Sequence, residues 1–235
     1  MIPAFDFYLF DVDGTLVDSA LDICGAIQGV LASTARTDVP DEFLRSYIGR
    51  HLFDLFEDLF PACPPEKMER MIQQYRSSYA ARNHASTRIY RPVPETLAQL
   101  PGKKSTATTK GTPTTRTVLE MFGLLPYFDH VQGTDGFPAK PAPDVIFKAL
   151  EGIGGTPDRC LFVGDSAADM EAAKRAGVRS CAVTYGYGKR EDLARWSPDY
   201  WIDDLSQLIS RVTMPASVEI GQPIAYSVPV ISGTD

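Results

Sequence analysis

Beyond about residue 88 the chain alternates short β-forming runs with stretches of helical period, and this alternation restricts the fold more than any other feature. Strands are expected at 105–109, 128–132, 160–163, 180–184 and 200–202. Helices are expected between them at 94–100, 112–123, 144–152 and 167–176, with a last one at 205–212. Thr112 reads as an N-cap with Pro113 at the first helical position, and Gly123 and Gly177 read as stops. Strands joined through helices pair in parallel, and the helices then cover both faces of the sheet. In such a sheet, ligands bind at the carboxyl ends of the strands. The residues that follow each strand are therefore where chemistry is expected.

A further strand is expected at 7–12. Between it and the alternating region, Leu21, Ile23, Cys24, Ile27, Val30 and Leu31 fall at helical spacing, and further helical patterns cover 41–48, 51–60 and 66–83. The run 61–65 breaks the last two apart with its prolines. No strand is expected from 19 to about 88, so this block reads as an all-helical insert. The fold class is α/β: a Rossmann-like parallel sheet core, 1–18 and 89–212, with a helical insert at 19–88 after the first strand. Residues 213–235 form a separate C-terminal extension, where β-formers are split by Pro215, Pro223 and Pro229.

A formal net charge of -7 argues against nucleic acid as a partner, because a phosphate backbone requires clustered Lys and Arg. It leaves room for a small anionic substrate, which needs only a local positive site. No run resembles a membrane span, and no basic segment precedes an apolar stretch at the N-terminus, so no membrane partner and a cytoplasmic location are expected. Cys24, Cys63, Cys160 and Cys181 are scattered without a C-x-x-C pair and read as free thiols of a reducing compartment. His51, His84 and His130 show no pairing suited to a metal or a relay, and read as surface or capping residues.

Two acidic turns follow strands. Asp11-Val12-Asp13-Gly14-Thr15 closes the first, and Gly164-Asp165-Ser166-Ala167-Ala168-Asp169 follows the strand at 160–163. Two carboxylates in one low-dielectric turn repel unless a cation lies beside them or one is protonated. Capping would account for Asp165 or Asp169 singly. It does not account for acidic turns at the ends of two strands of one sheet. Oxygen ligands without His or Cys indicate a hard divalent ion, magnesium rather than zinc. Lys140, framed by prolines in Ala139-Lys140-Pro141-Ala142-Pro143, and the hydroxyl of Thr108 are the positive and donor partners suited to phosphoryl oxygens.

The ordered set Asp11-Val12-Asp13-Gly14-Thr15-Leu16-Val17-Asp18-Ser19, Thr108-Thr109-Lys110, Lys140-Pro141-Ala142-Pro143-Asp144 and Gly164-Asp165-Ser166-Ala167-Ala168-Asp169-Met170 resembles the four motifs of the haloacid dehalogenase superfamily. The resemblance runs over about residues 5–205 and is nearest to the phosphoglycolate-phosphatase-like enzymes, whose helical cap matches the insert. It implies a phosphatase acting on a small phosphorylated metabolite through an aspartyl-phosphate. Asp11 would be the nucleophile and Asp13 the acid, then base. Mg2+ would be held by the Asp11 carboxylate, the Asp13 backbone carbonyl and Asp165, with Asp169 in support. Thr108 and Lys140 would bind the phosphoryl group, with Thr109 beside them. The loop Ile48-Gly49-Arg50 would reach onto the core, where Arg50 reads the non-phosphate end of the substrate; the competing expectation is a surface Arg50 paired with Asp54 or Glu57. A monomer or a homodimer is expected.

Other chemistries on this fold fit less well. A dehalogenase of this type usually lacks an acid at Asp13. A phosphonate hydrolase uses a cap lysine, and the first lysine of this chain is Lys67. A sugar phosphomutase tends to carry an early cap histidine, and the first here is His51. Pyrophosphatase activity remains open. A silent regulatory protein is disfavoured by the joint presence of Asp11, Asp13, Thr108, Lys140 and Asp165.

Overall fold

The computed structural model describes residues 2–209. The extension at 213–235 and the end of the helix expected at 205–212 lie outside the described residues. In chain order the elements are β1 (Phe7–Phe10), β2 (Val17–Asp18), α1 (Ala20–Leu31), α2 (Asp41–Arg45), α3 (Leu52–Leu59), α4 (Pro65–Ala81), β3 (Arg88–Ile89), α5 (Val93–Gln99), β4 (Lys103–Thr106) and α6 (Thr112–Met121). Then follow α7 (Asp144–Ile153), β5 (Cys160–Gly164), α8 (Ala167–Ala176), β6 (Arg179–Val183), α9 (Arg190–Ala194), β7 (Tyr200–Ile202) and a closing 3-10 turn at Leu205–Leu208. The α/β class expected from the alternation holds: the main sheet runs β4-β1-β5-β6-β7, and every pairing in it is parallel.

β1 and β5 are apolar throughout because both of their faces are covered. Tyr8, Phe10, Leu161 and Val163 face a core shared with Leu97, Val118, Leu119 and Leu205. Leu9, Cys160 and Phe162 face the opposite core, built with Ile146, Leu150 and Ala173. The pairing of Phe10 with Thr106 on one side and Val163 on the other sets Asp11 level with the exits of β4 and β5.

Several expectations are corrected. The run at 128–132 is not a strand. It meets β4 through one isolated bridge, Ser105 to His130, with the Asp129 N–H on the Lys104 carbonyl at 2.9 Å, and side chains make the flanking bonds: Asp129 accepts from the Lys104 N–H, and Thr106 Oγ1 exchanges hydrogen bonds with the backbone of Gln132. β4 is therefore the edge of the ladder, and its polar Ser105 and Thr106 suit that position. Thr112 is the first helical residue of α6 rather than its cap. The Asp135 carboxylate takes the Thr112 N–H, and Thr112 Oγ1 accepts from the Gly133 N–H. His84 is buried, whereas His51 does cap α3, accepting from the Phe53 N–H.

Helices α1 to α4 have their own core, in which Ile27, Leu31, Leu44, Phe56, Met68 and Met71 converge. The chain enters this helical layer through β2 and leaves through β3, and the two pair antiparallel as a short ribbon, Val17 opposite Ile89. Just above that ribbon, the Asp22 carboxylate is wholly buried on α1. It accepts from the Ser86 N–H at 2.9 Å, Thr87 Oγ1 at 2.8 Å and Arg82 Nε at 3.2 Å, so the first turn of the layer is bound to its last segment. Burial pushes the Asp22 pKa up, but these three donors outweigh it and hold the carboxyl below its ordinary range. Among the described residues, no helix is long and apolar enough to cross a membrane.

Asp22→Ala leaves three donors facing a hole and should lower unfolding stability by about 2–4 kcal/mol, measured by urea denaturation at neutral pH. Because the folded pKa is depressed, the charge-dependent part of this contribution is full above the unfolded carboxylate pKa of about 3.9 and is lost as pH falls through the folded value. The gap between wild type and Asp22→Ala should therefore narrow on acidification.

Candidate active site

The carboxyl ends of β1, β4 and β5 converge with the loop before α7. Asp11 follows β1 directly, its N–H bonded to the Val163 carbonyl at 2.9 Å, and the residue is 1% exposed. Lys140, 2% exposed, reaches in from the loop before α7. Its ammonium lies 2.9 Å from Asp11 Oδ1, 2.5 Å from Asp169 Oδ1 and 3.1 Å from the Ala107 carbonyl. One cation thus ties together the ends of β1 and β4 and the first turn of α8. The contact with Asp11 is an ion pair outside hydrogen-bond geometry, so Asp11 Oδ1 is buried without a hydrogen-bond donor.

Asp165 directly follows β5 and accepts from Thr15 Oγ1 at 3.1 Å and from the Tyr187 N–H at 2.8 Å. Asp169 forms a capping box with Ser166, accepting from its N–H at 2.9 Å and its hydroxyl at 2.6 Å. Carboxylate oxygens of Asp11, Asp165 and Asp169 lie within 4.8 Å of one another. Burial raises the Asp11 pKa to about 6, with Lys140 opposing and Asp169 adding to the rise. Burial, then Asp169 and Asp11, push Asp165 well above the usual carboxylate range. Burial pushes the Lys140 pKa down, but Asp11 and Asp169 more than reverse this and hold it as a cation.

This donor set fits a hard divalent cation. It is all oxygen, it is buried, and it contains an orphaned carboxylate oxygen. Asp169, both of whose oxygens are already engaged by Lys140 and Ser166, suits a supporting rather than a direct role. The Asp13 side chain is not in this cluster.

The turn after β1 carries Asp13 the other way. The Val12 carbonyl gathers the N–H groups of Thr15, Leu16 and Val17. Gly14 sits at φ +88, and a Cβ there would meet Asp165 Oδ2 at 2.3 Å, so only glycine permits this turn beside Asp165. Asp13 Oδ1 accepts from Ser19 Oγ at 2.6 Å, and Oδ2 pairs with Lys110 Nζ at 3.1 Å. Lys110 also donates to the Tyr79 hydroxyl on α4, at 3.0 Å. Thr108 is buried at the exit of β4, and its hydroxyl interacts with Asp11.

Thr109 and Arg50 are placed differently from these. Thr109 Oγ1 donates to the Gly49 carbonyl at 3.0 Å and so joins the loop after α2 to the core. Gly49, at φ +91, lies so close to Ser166 that a Cβ would come within 3.2 Å of it. The loop 48–50 therefore does reach the core site. The Arg50 guanidinium, however, stacks 4.3 Å over Tyr47 and pairs with Asp54 at 3.8 Å. Sequence reasoning assigned no role to Thr15, Ser19 or Lys110, although all three lie inside the quoted motifs. It also passed over Tyr187, in the loop after β6, where the strand-end rule would have directed attention.

The family model for haloacid dehalogenase-like hydrolases matches residues 8–183. A phosphoglycolate phosphatase of Aquifex aeolicus is 32% identical over 86% of this chain and 93% of that protein. One from Vibrio parahaemolyticus is 33% identical over 88% of this chain and 96% of that protein. A haloacid dehalogenase-like family hydrolase from Streptococcus pneumoniae superposes with a TM-score of 0.79 at 25% identity, covering 87% of this chain and 97% of that one. The chain belongs to the haloacid dehalogenase-like hydrolase family and is a phosphatase of that type.

Proposed function

We propose that this chain is a magnesium-dependent, cytoplasmic phosphatase that hydrolyses a small phosphorylated metabolite of the phosphoglycolate kind through an aspartyl-phosphate on Asp11. The observation that carries the reading is the buried Asp11 carboxylate at the carboxyl end of β1, 2.9 Å from the Lys140 ammonium and with oxygens of Asp165 and Asp169 within 4.8 Å. Crowded carboxylates around one cation, at the carboxyl end of a central strand, are costly to bury for structure alone.

In this reading Asp11 attacks the phosphorus of a phosphate monoester, and the bond to the leaving oxygen breaks as the aspartyl-phosphate forms. Lys140 and the Thr108 hydroxyl hold the phosphoryl oxygens and neutralise their charge. Asp13 donates its proton to the leaving oxygen. It then takes a proton from the water that attacks the acyl-phosphate, and phosphate is released with Asp11 regenerated. Mg2+ would be held by the Asp11 and Asp165 carboxylates and the Asp13 backbone carbonyl, and when bound supplies the positive charge that offsets the dianionic phosphoryl group. Asp169 orients Lys140 and the start of α8. The helical layer acts as a cap, and Thr109 serves the site by fixing its loop through Gly49. Arg50, occupied by Tyr47 and Asp54, is assigned no step.

Asp11→Asn should lower kcat/KM for 2-phosphoglycolate by at least about a thousandfold while the melting temperature stays close to wild type. Normal turnover by this variant would overturn the mechanism. Asp13→Asn should separate the half-reactions: with a good leaving group, a phosphorylated protein should persist after rapid quenching, seen by intact mass, because no base activates water. An equal loss of phosphorylation and dephosphorylation would contradict the division of roles. Asp169→Asn should raise the Mg2+ concentration for half-maximal activity by roughly 10–100-fold, as expected when a supporting contact is removed. An unchanged magnesium titration would take Asp169 out of the metal's surroundings.

A further inference from the structure

Lys110 is the second buried ammonium of the site, and the phosphoryl chemistry above does not use it. Its side chain is 9% exposed and lies where the loop after β4 meets α4. A lysine ammonium has three N–H donors. The Tyr79 hydroxyl takes one of them, Asp13 Oδ2 pairs with the charge at 3.1 Å, and among the described residues no further acceptor is engaged. The ammonium also lies 4.4 Å from the centre of the Tyr79 ring, which Tyr75 stacks against on the same helix. His84 meets the Tyr79 ring edge-on at 5.1 Å, and its Nδ1 is buried without a partner. A charged donor and an orphaned ring nitrogen therefore both lie against Tyr79, beside the stacked ring of Tyr75.

The position of this ammonium relative to the reaction follows from Asp13. A group that protonates the leaving oxygen must touch it, so the remainder of the leaving group extends past Asp13. Lys110 Nζ is 3.1 Å from Asp13 on the side of the helical layer. The cation that the family-like motif suggested for this task, Arg50, is turned to Tyr47 and Asp54.

We infer that Lys110, supported by Tyr79, is the receptor for a second anionic group on the substrate. The inference rests on the reading of Asp11 and Asp13 as the phosphatase pair. It narrows the substrate class to phosphorylated acids whose carboxylate stands close enough to the ester oxygen for the one to reach Lys110 while the other touches Asp13, the two side chains being 3.1 Å apart. In a seam of low dielectric, a charge-assisted contact of this kind discriminates strongly against a neutral analogue, whose binding would leave an ammonium donor unmet.

The test compares two esters that differ only at that end, 2-phosphoglycolate and 2-hydroxyethyl phosphate, with Mg2+ present, for wild type, Lys110→Met and Lys110→Arg. Wild type should prefer the acid. Lys110→Met should reduce the ratio of the two kcat/KM values by roughly 10–100-fold, mostly by loss on the acid. Lys110→Arg, which keeps the charge, should retain a substantial part of the preference, and it reads the same ratio if Lys110→Met does not fold. A ratio unchanged in both variants, even with both activities reduced, would make Lys110 a structural partner of Asp13 and overturn the inference while leaving the phosphatase reading intact. A wild type that prefers the neutral ester would also overturn it. A wild type that cleaves no phosphate ester would instead overturn the phosphatase reading, and this inference with it.

Discussion

The buried Lys140 ammonium is the interaction on which the site depends. Asp11, Asp165 and Asp169 are each at most 2% exposed and crowd one another, a state that raises carboxylate pKa values and opposes ionisation. Lys140 answers two of the three directly, and it also binds the Ala107 carbonyl where β4 leaves the sheet. The same cation therefore sets the spacing between strand ends and supplies charge to the pocket. Removing the ammonium from such a buried set would strand the carboxylates in low dielectric, typically at a cost of about 3–5 kcal/mol. Stability and chemistry at this edge of the sheet are carried by the same atoms.

The contact between the helical layer and the sheet is of another kind. The layer has its own apolar core, distinct from the two cores that sandwich the sheet. Across the seam the fastenings are largely polar: Thr109 to the Gly49 carbonyl, Lys110 to Tyr79, and the Tyr187 hydroxyl, which accepts from the Ser19 and Ala20 N–H groups and donates to Asp18. Such hydrogen bonds exchange with water at a net cost of about 0.5–1.5 kcal/mol each, or about 1.5–3 kcal/mol where one partner is charged. Tyr187 adds a direct link, because its backbone N–H holds Asp165 while its hydroxyl holds the start of α1. The metal-side carboxylate and the root of the helical layer thus share one residue.

Much of this was legible in the sequence. The alternation of strand and helix sufficed for a parallel sheet, and β1 and β5 were readable because strands buried on both faces carry unbroken apolar runs. Asp11 and Asp165 were legible because each follows an expected strand in an acidic turn, and Lys140 because prolines frame it. The errors fall where pairing passes from backbone to side chains. The run at 128–132 has strand composition, but past one isolated bridge the Asp129 and Thr106 side chains supply the bonds a ladder would have made. Likewise, Asp135 reaches across the fold to receive the first N–H of α6, so the local N-cap pattern at Thr112 was misleading. Lys110 was given no role and His84 was read as a surface or capping residue because a single Lys or His is ordinary in composition; only the packing of α4 against the loop after β4 encloses them.

The turn at 11–15 is the point where local backbone geometry becomes chemistry. Two aspartates two residues apart would project from the same face of a continuing strand and would then compete for one environment. Here the chain leaves the ladder after Phe10 and folds around the Val12 carbonyl, with Gly14 in the left-handed region. Asp11 is left facing Lys140 and the other carboxylates, whereas Asp13 is rotated to Ser19 and Lys110, toward α4. Four carboxylates and two ammonium groups are thereby divided, with three carboxylates around Lys140 and one beside Lys110. The first group carries the surplus negative charge that a divalent cation would balance. The second is nearly neutral and stands at the seam with the helical layer. Separating an oxygen that must attack phosphorus from one that must pass a proton requires two such environments, and one reversed backbone dihedral at Gly14, beside Asp165, produces both.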